Sequence, residues 1–192
     1  MMKNIKKMLC AAAIIAAFGM NAFAQQDNPT DDIKARAEVR VLINVTGAQD
    51  LEFQNVQVGE AKTVNTRDEV TAGTSSGDEK SGRFDITKGA STDVKVEFTT
   101  LPPSLAGPGE ATLPINFDGE AFGRLSLTND PEATGGIDFN PISAINTPNT
   151  GSTENFFGAT AFSVFLGGTV TPEAEQVVGT YDADVTLTVS YN

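Results

Sequence analysis

Beyond residue 34, apolar and polar residues alternate along the chain with a period of two, and the longest runs lie near the two ends. Ala35, Ala37, Val39, Val41, Ile43 and Val45 alternate with Arg36, Glu38, Arg40, Leu42, Asn44 and Thr46. Tyr181, Ala183, Val185, Leu187, Val189 and Tyr191 alternate with Asp182, Asp184, Thr186, Thr188, Ser190 and Asn192. Successive side chains of a strand point to opposite faces, so each run predicts a half-buried strand. Gly47 and Asp50 mark a turn after the first. Leu51, Phe53, Val56 and Val58 follow, and the irregular step from Phe53 to Val56 predicts a bulge or a strand that changes sheets.

Further strands are expected at Arg83–Thr87, at Asp93–Thr99 with Val94, Val96 and Phe98 on one face, at Leu113–Phe117 and at Phe122–Leu127. Phe162, Val164 and Leu166 form another, and Thr169–Glu175 leads to the last. Pro114 places its strand at a sheet edge, because proline cannot donate to a ladder. The Gly-, Ser- and Thr-rich stretch Thr71–Ser81 reads as an exposed hairpin or loop, and Asn129–Asn155 as a surface excursion. No helical stripe of useful length follows the N-terminal segment. Seven to ten short strands separated by turn residues predict an all-β fold, an immunoglobulin-like antiparallel β-sandwich, with a closed barrel as the other architecture.

The N-terminus has a different character. Lys3, Lys6 and Lys7 precede an apolar run from Met8 to Phe18, and Ala22 and Ala24 supply the small residues that a signal peptidase reads, with Gln25 as the first mature residue. Residues 1–24 are therefore expected to be a signal peptide, its apolar run being shorter than the roughly 20 residues of a membrane span. Residues 25–34 form a polar arm carrying Asp27, Asp31 and Asp32, and residues 35–192 a single domain. Cleavage leaves 168 of the 192 residues and removes the only cysteine, Cys10. It also removes three lysines and no acid, which takes the net charge from −12 to −15. A chain this acidic repels phosphate backbones, so nucleic acid is not expected as a partner. The product would be exported to the periplasm, the cell surface or the medium.

Composition also narrows the chemistry. A mature chain with neither histidine nor cysteine lacks the usual general base, the thiolate nucleophile and the commonest transition-metal ligands. Asp182 with Asp184 lies on the solvent face of a predicted strand and Glu173 with Glu175 in a Pro-led turn, positions where acids are solvated charge rather than a hydrolytic pair. Asp27, Asp31 and Asp32 lack the loop pattern of a calcium site. Gly167-Gly168 has no lysine or helix after it, so it reads as a close backbone approach or a positive φ rather than a phosphate loop. Asn44-Val45-Thr46 matches a glycosylation acceptor only formally, within a predicted strand. The expectation is a non-enzyme with no catalytic residues, no metal and no cofactor.

Gly179 opening the last strand and Tyr191 near its end resemble the C-terminal signature of chaperone-usher pilin subunits. Leu51-Glu52-Phe53-Gln54-Asn55-Val56 with Val58-Gly59, Arg83-Phe84, and Leu166-Gly167-Gly168-Thr169-Val170 with Pro172, Gln176 and Gly179-Thr180-Tyr181 resemble the bacterial family known as domain of unknown function 4402. That family is similar to spore-coat-U and archaic fimbrial subunits. The chain departs from most small pilins in having no disulfide. The resemblance implies secretion, a pilin-like sandwich, and a C-terminal strand that is gripped by a periplasmic chaperone and completed by a like subunit.

Two readings of the last strand stand side by side, since alternation suits a strand completed by a partner as well as one paired within its own sheet. In the first, the protein is a structural or adhesive, fimbrial-subunit-like surface protein. The assembly edge is Gly179, Tyr181, Ala183, Val185, Leu187, Val189 and Tyr191, and the candidate donor strand is Ala35, Ala37, Val39, Val41, Ile43 and Val45. In the second, the domain is self-contained, residues 35–45 are its own first strand, and the 129–155 loop, with Phe139, Phe156 and Phe157, recognises a carbohydrate or surface partner.

Overall fold

The computed structural model describes residues 34, 36–37, 39, 41–89, 92–147 and 155–192. The chain divides into two compact units, Met1–Glu38 and Val39–Asn192, and the second holds every described strand. The signal segment with Ala22, Ala24 and Gln25, most of the polar arm, and Ala35 lie outside the described residues.

The fold is all-β and antiparallel, a β-sandwich without a helix among the described residues. One sheet has the order β1 (Asn44–Gln49), β4 (Gly82–Thr87), β11 (Ala161–Leu166), β8 (Gly123–Ser126), β9 (Ile137–Phe139). A second has the order β3 (Val70–Ala72), β2 (Lys62–Val64), β12 (Gly168–Val170), β7 (Thr112–Asn116), β6 (Ser104–Ala106). A three-stranded ladder places β5 (Val94–Thr100) between β10 (Ile145–Asn146) and β13 (Thr186–Tyr191).

Val94, Val96 and Phe98 turn the buried face of β5 toward the first sheet. Phe98 meets Phe84 edge-on at 6.1 Å and stacks on Phe139 at 6.4 Å. Such ring pairs add to the area they bury. β11 is central in its sheet and buried from Phe162 to Leu166, which explains its near-continuous apolar run. At Gly167 the same strand passes into the second sheet as β12. A Cβ there would lie 2.5 Å from the carbonyl oxygen of Val64, so the crossing requires glycine for close approach.

Several strand expectations need correction. The first strand starts at Asn44, not Ala35: the pairing of Asn44 with Thr87 lies at the end of β4, and no strand extends beyond it for Val41 or Leu42 to join. Gly47 is within β1, at a bulge between Gly47 and Gln49, rather than in a turn. Leu51–Val58 forms no strand beyond a single bridge from Glu52 to Lys80, because Gln54 (φ 55°) and Gly59 (φ 76°) take left-handed conformations that break a ladder. Pro114 is not on an edge, since β7 has neighbours on both sides. It stands where the β12 ladder runs out, its carbonyl accepting from the Thr171 N–H at 3.0 Å.

Thr71–Ser81 is exposed except for its last part, where Glu79 and Ser81 are buried. The Asn129–Asn155 stretch is not a plain excursion. It contributes β9 to the first sheet and β10 to β5, and Thr147 is buried with its hydroxyl accepting from the Val94 N–H.

Candidate functional site

β1 and β13 stand at the edges of their sheets, near one another but with no ladder between them. The two edges part toward the end of β1 and the start of the C-terminal segment, leaving a cavity of about 950 Å³. Its floor is the underside of the core: Phe53, Phe84, Leu105, Leu113, Ile115, Phe117, Leu166 and Val170. One wall is Gly47, Gln49 to Val56 and Val58, and the other is Val177 to Val185. A Cβ at Gly47 would meet nothing within 4 Å, so β1 leaves open space there.

The C-terminal segment is shorter as a strand than its alternation predicts. β13 covers Thr186–Tyr191, and before it only Asp182 pairs, its N–H and C=O both bonded to Ala106 at 2.9 Å. Antiparallel pairing directs alternate residues to opposite sides, so the main-chain groups of Tyr181 and Ala183 point away from Ala106. The face assignment of the sequence is retained: Leu187 is buried, Tyr181, Val185, Val189 and Tyr191 are half-buried against the core, and Asp182, Asp184, Thr186, Thr188 and Ser190 are exposed. Ala183 is exposed, a small side chain on the wall of the cavity.

The two tyrosines anchor opposite ends of this segment. The Tyr181 hydroxyl donates to the Val177 carbonyl at 2.5 Å and accepts from Gln176 Nε2 at 2.7 Å. Its ring lies on Gly107, where a Cβ would come within 2.2 Å of Cε1. Gly179 faces Pro108, where a Cβ would lie 2.2 Å from Cγ, so the glycine serves close contact rather than strand opening. The Tyr191 hydroxyl donates to the Val41 carbonyl at 2.5 Å and accepts from the Gly89 N–H at 3.2 Å. It thereby fixes the point where the chain enters the domain.

The candidate donor residues separate accordingly. Val45 is within β1 opposite Ile86, and Ile43 packs half-buried against the core. Val41 is held by Tyr191 yet 63% exposed, Val39 is 95% exposed, and Ala37 is exposed. Of the three aromatics in the alternative loop site, Phe139 and Phe156 are core residues and Phe157 is the exposed one.

Charge on the cavity is one-sided. Asp50 and Glu52 belong to one wall and Asp182 and Asp184 to the other, all four exposed, and no lysine or arginine lines it among the described residues. Sequence reasoning missed this grouping because residues 47–58 and 177–185 meet only in three dimensions.

A buried ion pair supports one wall. Lys62 Nζ donates to Glu79 Oε1 at 2.5 Å and to the Asn55 carbonyl at 2.9 Å, tying β2 to the 50–58 segment. Glu79 also accepts from the N–H groups of Ser76 and Gly77 and from the hydroxyls of Ser75 and Ser76. The Lys62 bond, then the Ser76 N–H, hold its carboxyl far below the ordinary carboxylate range against the opposing effect of burial. The close-spaced Ser75-Ser76-Gly77 donors ahead of Glu79 were the sequence signal for this cage.

No family model, curated protein or solved structure matches the chain.

Proposed function

We propose that the protein is an exported structural or adhesive surface subunit that assembles by β-strand addition, the cavity between β1 and the Tyr181–Val185 segment receiving an extended segment of a neighbouring copy. On this reading the sandwich is pilin-like, an immunoglobulin-type fold short of one strand, and a periplasmic chaperone covers the same edge before assembly. What carries the proposal is the combination of two unjoined strand edges with an apolar floor between them. An added strand gains main-chain hydrogen bonds along an edge while its alternate side chains fill the space below.

The donor is the segment before Val41. Ile33 is in phase with Ala35, Ala37 and Val39, so Ile33–Arg40 offers four apolar side chains on one face, with small ones at the centre. The donor excludes Val45, which pairs within its own domain.

The test is the size and heat stability of the mature chain beside a version lacking residues 25–40, which removes the donor and spares every strand. Heat-resistant oligomers in the full chain and monomers in the truncated one support strand donation. A full chain that is a stable monomer at all concentrations contradicts it and makes the domain a solitary surface module.

A further inference from the structure

Resting on strand addition at the cavity, we infer that the carboxylates of its rim select for strands that carry cations on their outward positions, and that the segment before Val41 of a second copy meets that requirement through Lys34, Arg36 and Arg40. When a strand is added to a sheet edge, its outward side chains lie on the same face as those of the strand beside it. Opposite charges there stabilise the pair and like charges oppose it.

Asp182 and Asp184 occupy outward positions on one wall, and Asp50 and Glu52 are exposed on the other. A strand between the walls therefore meets negative charge on both sides. With Ile33, Ala35, Ala37 and Val39 facing the floor, the outward residues are Lys34, Arg36, Glu38 and Arg40, three cations against one acid. This is the opposite of the chain as a whole, whose net charge is −12. The segment 33–40 is thus locally cationic in an acidic chain, and like charge on the rim would disfavour acidic segments in its place.

The experiment uses the full mature chain and charge reversal on each side. Arg36→Glu with Arg40→Glu alters the donor, Asp182→Lys with Asp184→Lys alters the acceptor, and a fourth protein carries all four changes. Size distributions over a concentration series are read by sedimentation, with thermal unfolding of each dilute protein as the check that the domain is intact. Each pair alone is expected to raise the concentration for half-assembly by about tenfold or more, and the four together to restore most of the loss. Salt near 1 M should weaken assembly of the unaltered chain, since exposed charges are then screened within about 3 Å.

Donor and acceptor reversals that assemble like the unaltered chain would overturn the charge selection while leaving strand addition standing. So would a four-fold variant no better than either pair. An unaltered chain that never assembles would remove the strand-addition reading and the selection with it.

Discussion

The two ends of the boundary between β1 and β13 face opposite fates. At the Tyr191 end, the hydroxyl joins Val41 to Gly89, and the adjacent Lys88 ammonium is buried among four carbonyl oxygens, those of Gly89, Thr92, Phe157 and Ala159, at 2.7–3.3 Å. Burial pushes the Lys88 pKa down, with Asp93 acting against it, and the carbonyls satisfy the charge that remains. At the Tyr181 end the strands separate over a floor in which Phe84 and Leu105 are half-buried and the other apolar side chains buried, and the rim carries unbalanced negative charge. One end is closed by side chains reaching main-chain groups. The other leaves a cavity between two strand edges that no ladder joins.

Substitutions in the floor and in the closed core should separate these ends most strongly. Ile86→Ala, in a wholly buried site opposite Val45, is expected to cost about 2–5 kcal/mol of stability whatever the state of assembly. Leu105→Ala, half-buried on the cavity floor, should cost about 1 kcal/mol in the dilute monomer and more once a strand covers it. Denaturant unfolding of dilute and assembled samples measures both. Equal costs for Leu105→Ala in the two states would mean that nothing enters the cavity.

Acid should act on the wall through Glu79. Its folded carboxyl stays ionised below the ordinary value of 4.5, so the unfolded chain takes up the proton first and stability declines as pH falls from there. The loss is complete only below the folded pKa, and above about 4.5 the contribution is present in full. Glu79→Gln should lower stability at neutral pH, because the Lys62 ammonium is left buried beside an uncharged group, and should flatten the acid limb of the profile. Unfolding followed from neutral pH downward would show an unchanged slope if the pair contributed nothing.

A small effect, like that of Leu105→Ala in the dilute monomer, is expected at the closed end. Tyr191→Phe removes the hydroxyl that bonds Val41 and Gly89, costing about 1 kcal/mol in thermal or denaturant unfolding. It should also loosen the entry of the chain without changing the cavity. Abolition of assembly by this change would mean that the two ends are one coupled site.

Much of this architecture is legible in the order of apolar residues, and the failures have specific causes. β4, β5, β7 and β11 lie where alternation or a continuous apolar run puts them, and β4, β5 and β11 each have one partner alongside their whole length. In the C-terminal segment alternation gives the buried face correctly, yet the ladder exists only where β5 runs alongside. Ala35–Ile43 alternates equally well and forms no strand at its described positions, since periodicity specifies faces while a partner specifies the strand. β9 and β10 are three and two residues long within Gly- and Pro-rich sequence, too short for a periodic signal. The cavity was illegible for a different reason: its walls come from segments more than a hundred residues apart, and the sequence contains no local mark of an edge that goes unpaired.

The most direct measurement is hydrogen exchange at the amides of Tyr181 and Ala183 in the mature chain, at concentrations from dilute to assembled. Strand addition predicts rapid exchange in the dilute protein and strong protection on assembly, with protection appearing together at Ile33–Arg40. Rapid exchange at these amides in fully formed oligomers, or protection already complete in the monomer, would contradict the claim that this edge receives a neighbour's strand.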